Sequence, residues 1–157
     1  MKVKDNYDFI LIDCNPALSQ LNSSIALASD MIIIPVNPDK FSYNGLRKTL
    51  DEYKKLEENF DVKPYFKILY SMYSRVEVSS NDYFKIYFTD YSDNIFKTTI
   101  AKNTDVKNAI QSNLTIFDFP RANARKDFDL IALEILGFKE QLDKKKSNKN
   151  LNYNAQI

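Results

Sequence analysis

Apolar positions along this chain repeat with two different periods. Residues 8–13 (DFILID) are a short continuous apolar run closed by an acid, which predicts a strand buried on both faces. Residues 31–36 (MIIIPV) repeat that pattern with β-branched side chains, and Pro35 and Pro38 predict where it ends. Residues 66–70 (FKILY) and 95–100 (IFKTTI) predict two further strands. Between these runs the period lengthens. Residues 17–28 (ALSQLNSSIALA) suit a short helix, and from Asn44 onward Leu46, Leu50, Tyr53 and Leu56 recur at helical spacing with Lys and Glu opposite. Ser79, Ser80, Asn81 and Asp82 offer an N-cap to a helix over 81–90. Val106, Ala109 and Ile110 predict a brief helix. Phe128, Ile131, Ala132, Ile135 and Leu136 form the stripe of a last one, closed by Gly137.

Strands alternating with helices at this spacing predict an α/β fold, a doubly wound, mostly parallel sheet. With 157 residues the chain suffices for one ordinary domain. That domain is expected over residues 1–138; the Lys- and Asn-rich 139–157 reads as a disordered tail. A composition 44% hydrophobic and 27% charged is that of a globular protein. Twenty-two basic against 21 acidic side chains leave a net charge of +1, so any pull toward nucleic acid must come from a local patch. The single cysteine, Cys14, excludes an internal disulfide and suits a reducing, cytoplasmic setting. No histidine is present, which removes the commonest general base and metal ligand and every Ser-His or Cys-His pair. Neither a signal peptide nor an apolar run of about 18 residues is visible, so no membrane partner is expected.

In open α/β sheets the chemistry gathers at the carboxyl ends of the strands. Asp13, at the tip of the first predicted strand and followed by Cys14, Asn15 and Pro16, has the form of a Walker B acid, which holds Mg²⁺, often through water. The same residue could equally end a strand and cap the next helix. A phosphoacceptor at a strand end, as in a response-regulator receiver domain, needs an acid pair on an earlier strand, and the sequence before Tyr7 has no room for it. Tyr65, Tyr70, Tyr73, Tyr83, Tyr87 and Tyr91 could stack on single-stranded nucleic acid, but such residues are more often core or half-buried. Only Gly45 and Gly137 are present, so the glycine-rich phosphate cradle usual in nucleotide-binding domains is missing from the sequence.

Several stretches, in order and in register, resemble one family. YDFILIDCNPAL is similar to the Walker B segment of ParA-type (ParA/MinD superfamily) partition ATPases. ASDMIIIPVNPDKFSYNGL is similar to their strand ending Pro-Val-x-Pro and the helix opening that follows. KILYSMYSR is similar to a strand with a Thr-Met-Tyr-type turn, and IFKTTIAKN to a segment ending Ile-Pro-x-Asn. FPRANARKDFDLIALEIL is similar to the terminal Lys-Asp-Tyr stretch and its helix. The resemblance spans residues 5–137, the C-terminal two-thirds of such a protein, and the Walker A P-loop belongs upstream of Tyr7. Asn15 and Ala101 stand where the family has Pro, and residues 107–110 (KNAI) replace its Glu-Ala-Pro segment.

The resemblance implies a partial, deviant P-loop NTPase fold serving plasmid or chromosome partition. It implies ATP and Mg²⁺ as ligands of the parent activity, hydrolysis coupled to dimerisation and sequence-independent DNA binding. Asp13 would be the metal residue and Asn103 the nucleotide residue, the latter having an alternative reading as an Asx-type turn. Arg75, Arg121 and Lys126 would contact DNA phosphates, with Lys97, Lys102 and Arg125 close by. Without a P-loop to cradle the β- and γ-phosphates, the chain alone is expected to be inactive. The implied partners are DNA, a full-length ParA-like ATPase or ParB-like centromere-binding protein, and a second copy of the chain. The alternative is a non-enzymatic module that pairs with a full-length partition ATPase or a centromere-binding partner.

Overall fold

A computed structural model describes residues 6–154 apart from 16–19, 64, 75, 77–81, 83–85, 120 and 121; of residues 20 and 141–154 it describes the backbone alone. Helix α1 (Gln20–Ala28) leads into strand β1 (Ile32–Val36), helix α2 (Lys40–Phe60) and strand β2 (Phe66–Tyr70). A 3-10 helix (Thr89–Asn94), helix α3 (Thr104–Gln111), a second 3-10 turn (Ile116–Asp118) and helix α4 (Ala124–Asn154) complete the order. β1 and β2 pair in parallel, Ile32 against Phe66 through Val36 against Tyr70. This is a mixed α/β fold in which helices alternate with two parallel strands, consistent with a P-loop NTPase-like fold.

Both faces of the sheet make contacts, although Pro35 on the second stays exposed. On one, Val36, Leu46, Ile68, Tyr70 and Phe88 form the buried core, with Ile34, Tyr43, Leu50, Tyr73, Tyr87 and Tyr91 packed around it. Of the tyrosines considered for stacking on nucleic acid, those described here therefore serve this core, apart from Tyr65, whose ring meets Phe138 of α4 at 6.5 Å. Tyr83 lies outside the described residues. On the opposite face, the alternation of β2 turns Lys67 toward Phe96 and Phe138.

Helix α2 begins earlier than its apolar spacing predicts. Asp39 caps it, its carboxylate accepting from the Ser42 amide at 2.7 Å and the Ser42 hydroxyl at 3.2 Å. Leu46 and Leu56 are buried on its inner stripe. Asp61 ends it in the left-handed conformation, φ 52°, with its amide bonded to Glu57 O. Helix α4 passes through Gly137, which has no positive φ and therefore does not close it. Its backbone stays helical to Asn154, across the point where composition places the start of the tail. Of the helix predicted over 81–90, positions 82, 86 and 87 are helical, and the 3-10 helix takes over at Thr89.

Two predicted strands come out differently. Residues 9–14 form no strand, and Phe9, Ile10, Leu11 and Ile12 are exposed, Leu11 at 88%. A strand exists only where a neighbour takes its backbone groups, and none lies beside this one among the described residues. The segment rests instead on α4, where Lys139 Nζ donates to Asp8 O at 2.9 Å and sits 4.4 Å from the Phe9 ring. The stretch 95–101 does run parallel to β2 and the turn after it, but only through the isolated pairs Ile68–Ile95 and Tyr73–Ala101.

Candidate functional site

All the paired strands run the same way, so their carboxyl ends share one edge of the sheet. There β1 gives way to Asn37 and the cap of α2, and β2 to a turn in which Met72 takes φ 60°. A left-handed Met costs roughly 1–2 kcal/mol, and the turn that demands it aims Tyr73 at the neighbouring segment. Tyr73 donates its amide to Ile100 O at 3.1 Å and accepts from the Lys102 amide at 2.8 Å. These bonds pin the turn that carries Asn103. The Asn103 side-chain oxygen accepts from the Asp105 amide at 2.8 Å and so caps α3. That is the Asx-type role which its sequence position also allowed.

The start of α4 reaches the same turn. Asp127 accepts from the Ala101 amide at 3.0 Å, which brings the exposed Lys126 beside the 101–103 stretch. Arg125 pairs with Asp129 at 3.7 Å and covers the Phe117 ring at 5.4 Å. Arg75 and Arg121 lie outside the described residues.

Asp13 does not end a strand; it is exposed, on the stretch that forms no strand. The residue after it, Cys14, is close enough to Tyr53 to help raise that phenol, whose main cause of elevation is burial. Tyr53 in turn meets Phe66, the first residue of β2, at 6.3 Å. Mg²⁺ at a nucleotide takes one or two carboxylates together with phosphate oxygens and water. Asp13 is one exposed carboxylate, and among the described residues no group of three or more His, Cys, Asp or Glu could hold a metal. The protein side chains described here do not make a Mg²⁺ site by themselves.

A family model described as an AAA domain matches residues 1–68. The chromosome-partitioning ATPase Soj of Treponema pallidum is 30% identical over 138 residues, covering 86% of this chain and 54% of that protein. The virulence plasmid ParA family protein pGP5-D of Chlamydia psittaci is 27% identical, over 85% of this chain and 51% of its own length. The sporulation initiation inhibitor protein Soj of Bacillus subtilis is 28% identical, over 85% and 53%. These matches support a ParA-type partition ATPase family member. It spans about half the length of the curated relatives it matches.

Three residues matter here that the sequence patterns did not single out. Lys67 is buried, 6% exposed, inside an otherwise apolar strand. Burial holds its ammonium below the usual lysine range, partly countered by Glu134 and Asp93. Its Nζ donates to Asp93 O at 2.8 Å and lies 4.6 Å from the Phe138 ring. Asp127 and Glu134 stand two helical turns apart on α4 and both reach the 97–101 backbone. That spacing was visible in the sequence, but it reads there as ordinary helix-surface charge. No helix among the described residues is long and apolar enough to cross a membrane.

Proposed function

We propose that these 157 residues are the base-side and DNA-facing part of a partition ATPase fold, and that the chain alone does not turn over ATP. The observation that carries this reading is the run of ParA-type stretches in family order, in a sequence with two glycines and no G-x-x-x-x-G-K-[ST] motif. In the proposal Asn103 is the nucleotide-side residue and Asp13 the metal-side residue, the Mg²⁺ being held through water once phosphates are supplied. Lys126, with Arg75 and Arg121, grips DNA phosphates without reading sequence. ATP, Mg²⁺, DNA and dimerisation thus belong to the assembled activity. The test is Mg²⁺-dependent phosphate release by the purified chain and by Asp13→Ala. Both are expected at background, and turnover in the wild type that disappears in Asp13→Ala would overturn the proposal.

A second reading is favoured by the exposed 9–12 segment and by the side of β1 facing away from β2. Here the chain is a non-enzymatic module that pairs with a full-length ParA-like ATPase or a ParB-like centromere-binding protein. Co-elution with such a protein, lost when Ile10 and Ile12 are changed to Lys, supports it.

A further inference from the structure

The hydrogen bonds along 95–102 depart from a regular parallel ladder in a specific way. Phe96 N donates to Ile68 O at 2.9 Å, so a regular ladder would next join Thr98 N to Tyr70 O. Tyr70 O is taken instead by Ile100 N, at 2.9 Å. The amides that have no acceptor on β2 are held by α4, Thr98 among them. Lys97 N donates to Glu134 Oε1 at 2.8 Å and Thr98 N to Oε2 at 2.9 Å, while Ala101 N donates to Asp127 Oδ2 at 3.0 Å. Each carboxylate is half-buried, and each bond links residues far apart in sequence.

We propose that Glu134 and Asp127 are positioning residues that set the register of the 97–103 segment against β2, and through it the place of the Asn103 turn. Glu134 draws Thr98 off the ladder and keeps two residues out of step; Asp127 fixes the far end of the same stretch. Without Glu134 the segment is free to re-pair with Thr98 N on Tyr70 O. At about 3.3 Å per residue that slip carries the 101–103 turn some 6–7 Å along the strand. The relevance to nucleotide binding rests on the reading of Asn103 given above; the register itself does not.

Residue-resolved amide hydrogen exchange on the 157-residue chain separates the two. In the wild type Lys97, Thr98, Ile100 and Ala101 are expected to be protected. In Glu134→Ala, Lys97 is expected to exchange about tenfold faster or more, the loss that follows from a hydrogen bond to a charged acceptor. Thr98 keeps its protection by moving to Tyr70 O, and Ile100 loses it. Glu134→Gln, which retains a carbonyl oxygen, restores slow exchange at Ile100. Asp127→Ala speeds Ala101 by a similar factor, and Asp127→Asn rescues it. If Lys97 and Ile100 in Glu134→Ala exchange as in the wild type, the register assignment is wrong. If Glu134→Ala does not fold, Glu134→Gln decides: loss of protection at Lys97 or Thr98 relative to Phe96 supports the assignment, and unchanged exchange at both overturns it. ATP-induced shifts at Asn103 are read in the same samples. Their absence in the wild type removes the nucleotide role of that turn and leaves the register result standing.

Discussion

Replacing Lys67 separates what its charge contributes from what its stem contributes. Lys67→Ala removes three buried methylenes, about 0.8 kcal/mol each, from a side chain in a position only 6% exposed. It also removes a charged hydrogen bond to Asp93 O, about 1.5–3 kcal/mol, and the contact with the Phe138 ring, about 1 kcal/mol. Against these stands relief from burying an ammonium, a penalty of several kcal/mol. The polar contributions therefore nearly cancel, and the packing of the stem decides the outcome. Lys67→Ala is expected to cost about 2–4 kcal/mol, a fall in Tm on the order of 10 °C for a chain of this size. Lys67→Met, which keeps a chain of similar length and leaves the Asp93 carbonyl to water, should stay within about 1 kcal/mol of the wild type. Urea unfolding monitored by circular dichroism, with the denaturant slope checked for constancy, measures both. A Met variant as damaging as the Ala variant would refute the cancellation, and a harmless Ala variant would refute the packing of Lys67 between β2 and α4.

The same lysine shapes the alkaline limb of stability. Its folded pKa lies below the 10.5 of a free lysine, so between the two the unfolded chain binds the extra proton and the Lys67 contribution to stability rises with pH; Lys67→Met should abolish that rise. Tyr53, Tyr65 and Tyr91 are pushed above 10.0 mainly by burial, so their contribution is full below 10.0 and lost as pH rises through their folded values; wild-type unfolding against pH tests both signs. With Phe9, Ile10, Leu11 and Ile12 exposed and one side of β1 uncovered by any described strand, the purified chain is expected to associate or to melt low. Size-exclusion chromatography with a thermal melt checks this, and a clearly monomeric chain melting above about 60 °C contradicts it. DNA binding should be weak, indifferent to sequence and lost as salt rises, and weaker still in Arg121→Ala with Lys126→Ala; retardation of random duplexes that ignores the double substitution rules out this basic patch.

Local pattern determined a good deal of this protein. β2 falls on the predicted residues 66–70, β1 within 31–36, and the helices that carry Leu46, Ala109 and Ile131 contain their predicted stripes, although α2 starts earlier and α4 runs on past Gly137. These elements are legible because a period of two or of 3.6 is a property of neighbouring residues alone. The family was legible for a similar reason, since its motifs are contiguous stretches. Pairing was not. The FILI run of DFILID is apolar throughout, as is MIIIPV, yet only the second becomes a strand, because a strand needs a partner for its backbone and no local signal names one. IFKTTI has the composition of a strand, but Glu134, more than thirty residues away, takes two of its amides and breaks the ladder. Asn103 illustrates the division at one residue. Its type allows an Asx-type turn, and in the structure its side chain takes the Asp105 amide in that way, at the start of α3. Where that cap stands against β2 depends on carboxylates of α4, and only the tertiary structure brings them there, because a carboxylate on a helix face looks the same in sequence whether it meets water or a distant backbone amide.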